Sequence, residues 1–193
     1  SPGKAPYLEC HQDVVGGLIE TASCALLSHF PKAVGDTFDV ELVVDALRVL
    51  RPAVTEISML DGVLHLVHGR WDEASHTLRE LLASAPGFSY ARALLAYCQF
   101  YKGDEAWRQT AAEALEIAPT AETRALVQAL QARDDLRNAM RDYRGGEFVV
   151  PDSCRSPEEA PAPSGGVSPR GGMPARTGTS QGFDMSSLGY LRA

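Results

Sequence analysis

The sequence predicts an all-α protein built from tetratricopeptide-like helical hairpin repeats, about three pairs plus a capping helix, and three observations carry that prediction. Apolar residues up to Arg144 recur at three- and four-residue steps, with no long alternating run of the kind a half-buried strand shows. Gly35, Gly69 and Gly103 stand 34 residues apart, twice. Pro52, Pro86 and Pro119 follow in the same phase, spaced 34 and 33. A 34-residue period with a helix, a tight turn, a second helix and a closing proline is the tetratricopeptide pattern.

The helical runs follow in order. Val14, Val15, Leu18, Ile19, Ala22, Leu26 and Phe30 form one face, and Val40, Val43, Val44, Leu47 and Leu50 a second, giving a first pair over Asp13 to Leu50. Ile57, Leu60, Leu64 and Val67, then Ala74, Leu78, Leu81 and Leu82, give a second pair over Val54 to Ala85. Leu94, Leu95, Cys98 and Tyr101 belong to a third pair over Ser89 to Ile117. Leu126, Leu130 and Leu136 mark a last helix near Ala121 to Arg141, placed to cover the apolar end that a repeat array otherwise leaves open. Each run stops at Pro or Gly. Proline lacks the amide and clashes with the preceding turn, whereas glycine accepts the left-handed conformation that ends a helix. Ser28, Gly62 and Ala96 share one phase and are small. Gly62 falls where two helices of a pair approach closely, with Ala74 and Pro86 following at 12-residue steps. Gly16 and Gly17 also read as sites of close helix packing.

The folded part therefore spans residues 1–144. Residues 145–193 hold 9 Gly, 6 Pro and 7 Ser among 49, and such a segment buries too little apolar surface to offset its ordering entropy. It reads as a disordered tail. Phe183 to Leu191 near its end reads first as linker and second as a docking peptide.

Composition narrows the function. Hydrophobic residues make up 45% and charged residues 22%, an ordinary balance for a domain with a core. The net charge of −7 argues against nucleic acid, which needs a basic face, and against an anionic membrane surface. No stretch approaches the roughly 20 apolar residues of a transmembrane helix. The sequence opens at Ser1 and not at Met, which leaves a cleaved export signal open. The compartment, cytoplasm or periplasm, stays open with it.

No catalytic constellation is expected. There is no nucleophile elbow and no phosphate loop, since Gly16-Gly17 lack a following G-K-[ST]. Cys10, Cys24, Cys98 and Cys154 form no C-x-x-C pair, and Cys24 and Cys98 read as small core residues. His65 and His68, with Asp61 and Asp72 nearby, could form half a metal site but have no third strong ligand; core packing and helix capping are the expected roles. Glu113, Glu116 and Glu122 read as a solvated acidic face. The expectation is a protein that binds other proteins, with no cofactor and no metal, and not an enzyme.

In this repeat type the first helix of each pair lines a concave face. Projecting the pattern places Met59, Val63, Leu66 and Val67 there from the second pair. Tyr90, Ala93, Tyr97, Phe100 and Tyr101 join them from the third. Aromatic side chains give large contact area with few rotamers to freeze, so the surface reads as a groove for an amphipathic helix. The competing reading is that these aromatics pack inside. Exposed repeat ends also permit self-association.

Several stretches resemble a known family. They are Asp45-Ala-Leu-Arg-Val-Leu-Arg-Pro52, Leu60-Asp-Gly-Val-Leu-His65, Gly69-Arg-Trp-Asp-Glu-Ala74 and, most specific, Ala85-Pro-Gly-Phe-Ser-Tyr-Ala-Arg-Ala-Leu-Leu-Ala96. Trp107-Arg108 and the run ending Ala132-Arg-Asp-Asp135 add to them. Together they resemble the HrpB/HrpK family of bacterial type III secretion proteins over about Leu8 to Asp135. The resemblance implies a role in assembling or operating a type III secretion apparatus, as a chaperone or scaffold for an export substrate or apparatus component. It also implies an alternative, since members have been associated with the periplasm and with peptidoglycan. It supplies no catalytic motif.

Overall fold

Seven α-helices and a short 3-10 helix are the regular structure of residues 10–155, the part that this computed structural model describes; no strand occurs among them. In chain order the helices are α1 (Gln12–Leu27), α2 (Thr37–Leu50), α3 (Thr55–Val67), α4 (Trp71–Ser84), α5 (Ser89–Lys102), α6 (Trp107–Glu116) and α7 (Ala121–Asp142). The chain divides into two compact units, one running through Val127 and the other starting at Gln128.

In the first unit, consecutive helices pack as pairs, α1 on α2, α3 on α4 and α5 on α6. Neighbouring pairs meet through α1 and α2 on α3, and through α4 and α3 on α5. Short connections force consecutive helices back on themselves. The turn after α3 and the turn after α5 are built identically. Gly69 and Gly103 both take positive φ, +70° and +75°. The amide of Arg70 donates to the carbonyl of His65 at 2.8 Å, and that of Asp104 to Gln99 at 2.9 Å. Each reaches five residues back, the bond of a glycine-terminated Schellman end. The period of 34 thus repeats a backbone motif and not merely a residue type.

The first pair departs from that pattern. α1 stops at Leu27, and Phe30, expected on its apolar face, lies in the Ser28–Asp36 connection instead. Pro31 has no amide to continue the helix. Gly35 is left-handed at φ +86° but precedes the N-cap of α2 and does not close α1. The Asp36 carboxylate caps α2 by accepting from the Phe38 amide at 2.9 Å.

Burial follows the apolar periodicity. Val44, Leu47, Ile57, Leu60, Leu64, Leu78 and Leu94 are at most 2% exposed. Val15, Leu47 and Ile57 form a smaller cluster that joins the first pair to α3, with Cys10 and Val54 against it. Gly62 makes the expected close approach: a Cβ there would lie 3.0 Å from Cδ2 of Leu78 on α4. Gly16 and Gly17 do not, since nothing stands within 4 Å of a Cβ at either position. Both face solvent, because the buried face of α1 is carried by Val15, Ala22, Leu26 and Leu27. Cys98 is buried as expected, whereas Cys24 is exposed and sits beside Ser28 Oγ at 3.2 Å.

The first turns of α7 belong to the same unit. Thr120 caps the helix through the Thr123 amide, and Thr123 meets the hydroxyl of Ser89 on α5 at 3.1 Å. In the second unit, the chain turns at Gly145 and Gly146, both at positive φ. The 3-10 helix Asp152–Cys154 is then held to α7, Ser153 donating to Asp135 at 2.7 Å and Cys154 to the carbonyl of Ala132 at 3.1 Å. The rest of the expected tail, residues 156–193 with the segment Phe183–Leu191, lies outside the described residues.

Candidate functional site: an aromatic seam across three helix pairs

Six aromatic rings make a continuous path through the first unit. Phe30, from the first connection, stands edge-on to Tyr97 of α5 at 4.9 Å. Tyr97 meets Tyr101, one turn further along, at 4.6 Å. Tyr101 stacks on Trp71, the first residue of α4, at 5.4 Å with ring planes 5° apart. On its other side Tyr101 meets Phe100, whose ring stands perpendicular to Trp107 of α6. Spacing explains the seam. Residues 97, 100 and 101 share a side of α5, and Trp71 is brought to Tyr101 by the packing of α4 on α5.

The groove residues expected from sequence separate into two sets. Met59, Val63, Leu66, Tyr90, Ala93, Tyr97 and Phe100 are buried, none more than 7% exposed. Val67 and Tyr101 are half-buried. Of the seam, Phe30, Trp71 and Tyr101 keep solvent-facing surface. Sequence reasoning missed Phe30 and Trp71 as members. Apolar spacing places Phe30 on the face of the first helical run, and Trp71 enters the sequence reading only within the stretch Gly69-Arg-Trp-Asp-Glu-Ala74. The Gly-Arg-Trp order, which places an aromatic at the first helical position after a left-handed glycine, was the available signal.

Polar contacts fix the frame around the seam. Lys102 at the end of α5 donates to Asp72 at the start of α4 at 2.6 Å. That bond holds the Asp72 carboxyl below its usual range and raises the lysine. Cys98 hydrogen-bonds Ser75 and the carbonyl of Trp71 at 3.0 Å each, and burial pushes its thiol up, so it stays protonated. Burial likewise raises the Tyr90 phenol, helped by the nearby Glu122 carboxylate. Arg92 ties α5 to α6 through Glu113 at 3.0 Å.

A second concavity of about 380 Å³ lies on α2, α3 and α4, bordered by Arg48, Ser58, Asp61, Thr77 and Glu80. Its charges are already matched. Arg48 bonds both Asp45 and Asp61, and His65 Nε2 stands 3.8 Å from Asp61. Burial lowers the His65 pKa, with Asp61 pulling the other way. His68 caps the end of α3 and contacts Arg70 at 2.9 Å. Among the described residues no three His, Cys, Asp or Glu side chains converge in a way that could hold a metal ion.

Each unit also carries an exposed surface of its own. On α2, Phe38, Leu42 and Val49 are 62%, 53% and 62% exposed, a stripe opposite the buried Val40, Val44 and Leu47. On the second unit, Arg133, Arg137 and Arg141 recur every four residues along α7 and face solvent.

No helix among the described residues is long and apolar enough to cross a membrane. No significant match exists among curated proteins or among solved structures. A family model does match, that of the bacterial type III secretion protein family HrpB1/HrpK, over residues 5–136. That span contains all three helix pairs and the whole aromatic seam, and the chain belongs to the HrpB1/HrpK family of bacterial type III secretion proteins.

Proposed function

We propose that this protein is a non-catalytic accessory of the type III secretion apparatus that seats an amphipathic helix of an export substrate or apparatus component, as a tetratricopeptide-like chaperone or scaffold. The observation that carries the reading is the aromatic seam with its half-buried members Phe30, Trp71 and Tyr101. Rings drawn from three helix pairs are held in a fixed array, and three of them keep surface that a partner covers. Fixed rings lose little rotamer freedom on binding, and Trp and Tyr are the side chains that dominate interface energetics. Fully covering one such anchor contributes roughly 1.5–3 kcal/mol.

Burial decides which positions of the expected groove can be altered. A charge at Tyr97, only 7% exposed, would endanger the fold. Tyr101 and Trp71 are the positions to alter. The combination Trp71→Ser with Tyr101→Ser, verified as folded by circular dichroism, is expected to lose the partners that co-purify with the wild-type chain from its native bacterium. Undiminished co-purification would end the reading.

The arginine row on α7 favours a second reading, a periplasmic factor that helps to place the apparatus at peptidoglycan. Arg133, Arg137 and Arg141 are exposed along one edge of the helix and also interact within the chain; guanidinium–carboxylate pairing is the chemistry that the wall's peptide stems would meet there. Sedimentation with isolated cell wall, lost on changing the three arginines to glutamate, is the expected result. A wild-type chain that stays in the supernatant sinks this alternative.

A further inference from the structure

Half of the ten large apolar side chains that stand exposed among the described residues fall within residues 140–150. They are Met140, Tyr143, Phe148, Val149 and Val150, between 36% and 72% exposed, and all belong to the second unit. Single exposed apolar residues are ordinary, whereas a contiguous group of them marks a docking face. Met140 lies in the last turn of α7 and Tyr143 just past its end. The Tyr143 ring stands against Phe148 at 5.6 Å, and the two valines follow directly in the chain.

The backbone holds this group out. The Tyr143 hydroxyl donates to the Gly146 carbonyl at 2.7 Å, across a turn in which Gly145 and Gly146 both take positive φ. Beyond Val150, Ser153 and Cys154 fasten the chain back to α7. Between these anchors the apolar side chains are displayed instead of folded inward. A concavity of about 550 Å³ opens along them, bordered also by Glu147, Cys154 and Arg155.

Two properties identify the occupant. The first is that Phe148, Val149 and Val150 are consecutive. Outside a helix, successive side chains leave the backbone on different sides. A protein partner covers one side of such a stretch, but here all three side chains are apolar and exposed. An apolar medium that surrounds the loop satisfies them together. The second property is charge. Arg144 donates to the carbonyls of Arg141 and Tyr143 and makes no ion pair among the described residues. Arg141 donates to Asn138 at 2.9 Å and stands 3.9 Å from the exposed Asp142. Residues 136–151 hold three arginines against two acidic side chains, whereas the negative balance of the chain lies in residues 10–127. The charge argument against an anionic membrane surface thus holds for the chain as a whole and not for this loop.

We infer that Met140–Val150 is an interfacial anchor that inserts into a phospholipid surface, its apolar side chains among the acyl chains and Arg141 and Arg144 on the lipid phosphates. Guanidinium groups pair strongly with phosphate oxygens, and a tyrosine ring with its polar tip suits the headgroup level. The inference concerns the second unit and does not rest on the aromatic seam.

Its test floats the full-length chain on a density gradient with vesicles of phosphatidylcholine and phosphatidylglycerol, and with vesicles of phosphatidylcholine alone. The chain is expected to rise with the mixed vesicles and less with the neutral ones. Phe148→Ser with Val149→Ser is expected to lower partition about tenfold or more, since two large apolar side chains leave the bilayer. Arg141→Gln with Arg144→Gln is expected to erase the preference for the anionic vesicles. All four positions are exposed, so circular dichroism is expected to match wild type. A wild-type chain that stays at the bottom with both vesicle types overturns the inference, as does flotation that the folded serine variant retains. A concentration-dependent dimer that Val149→Ser abolishes, without flotation, assigns the loop to a second copy of the chain and overturns it too. Pure phospholipid vesicles contain no cell wall and no secretion component, so neither the peptidoglycan reading nor the partner reading decides the outcome.

Discussion

At the scale of single residues, three helical glycines that look alike in sequence do different work. Gly62 stands against Leu78, with the nearest side-chain atoms 3.0 and 3.1 Å from where a Cβ would lie, and Leu78 is fully buried. A methyl group at position 62 has nowhere to go unless Leu78 leaves its rotamer. Overpacking of this kind costs roughly 1–3 kcal/mol, against about 1 kcal/mol gained from alanine's helix propensity. Gly62→Ala is therefore expected to destabilise by about 1 kcal/mol net, measured by urea denaturation. Gly17→Ala meets open space and is expected to stabilise by roughly 0.5–1 kcal/mol. Equal effects at the two sites would refute the assignment of close packing to Gly62 alone. The phase of the repeat made Gly62 legible in the sequence. Gly16 and Gly17 carried no such phase, and the packing role expected for them came from residue type only.

At the scale of elements, the turn geometry is the part that sequence expresses most directly. A left-handed residue after α3 and after α5 demands glycine, so the 34-residue spacing of Gly69 and Gly103 is a backbone requirement written in residues. Gly103→Ala is expected to cost roughly 1–2 kcal/mol, because a Cβ in that conformation meets the following carbonyl. A melting temperature unchanged from wild type would show that the turn does not need its left-handed residue. The first connection was less legible. Apolar spacing carried Phe30 onto α1, but spacing cannot report that Pro31 ends the run before Phe30 is reached. The aromatic site was half legible for a related reason. Period 3.6 identifies which residues share a side of α5, whereas burial depends on what packs over that side. Met59, Val63 and Leu66 thus shared the expected face yet lie in the core. The stripe of Phe38, Leu42 and Val49 went unread because α2 is apolar on two sides, and the buried one dominated the pattern.

At the scale of the whole molecule, charge is unevenly placed. Residues 10–127 hold 16 acidic side chains against 9 basic ones, which accounts for the entire net charge of −7. The helix pairs therefore fold against their own repulsion, while Arg133, Arg137 and Arg141 follow later in the sequence. Raising ionic strength to roughly 0.5 M shortens the screening length to a few ångströms. It is expected to raise the melting temperature of the full-length chain by several degrees, despite weakening exposed pairs such as Lys102 with Asp72. A melting temperature that falls with added sodium chloride would mean that attractive pairs, and not repulsion, dominate the surface.

The stacked Trp71 and Tyr101 pair also gives this protein an intrinsic optical gauge. Its two indoles sit in unlike surroundings, Trp107 enclosed at 5% exposure and Trp71 half-buried. Their emission is separable by a soluble quencher, which reaches one and spares the other. Any molecule that settles over the half-buried indole will shield it from the quencher, so occupancy can be followed by fluorescence titration on unlabelled material.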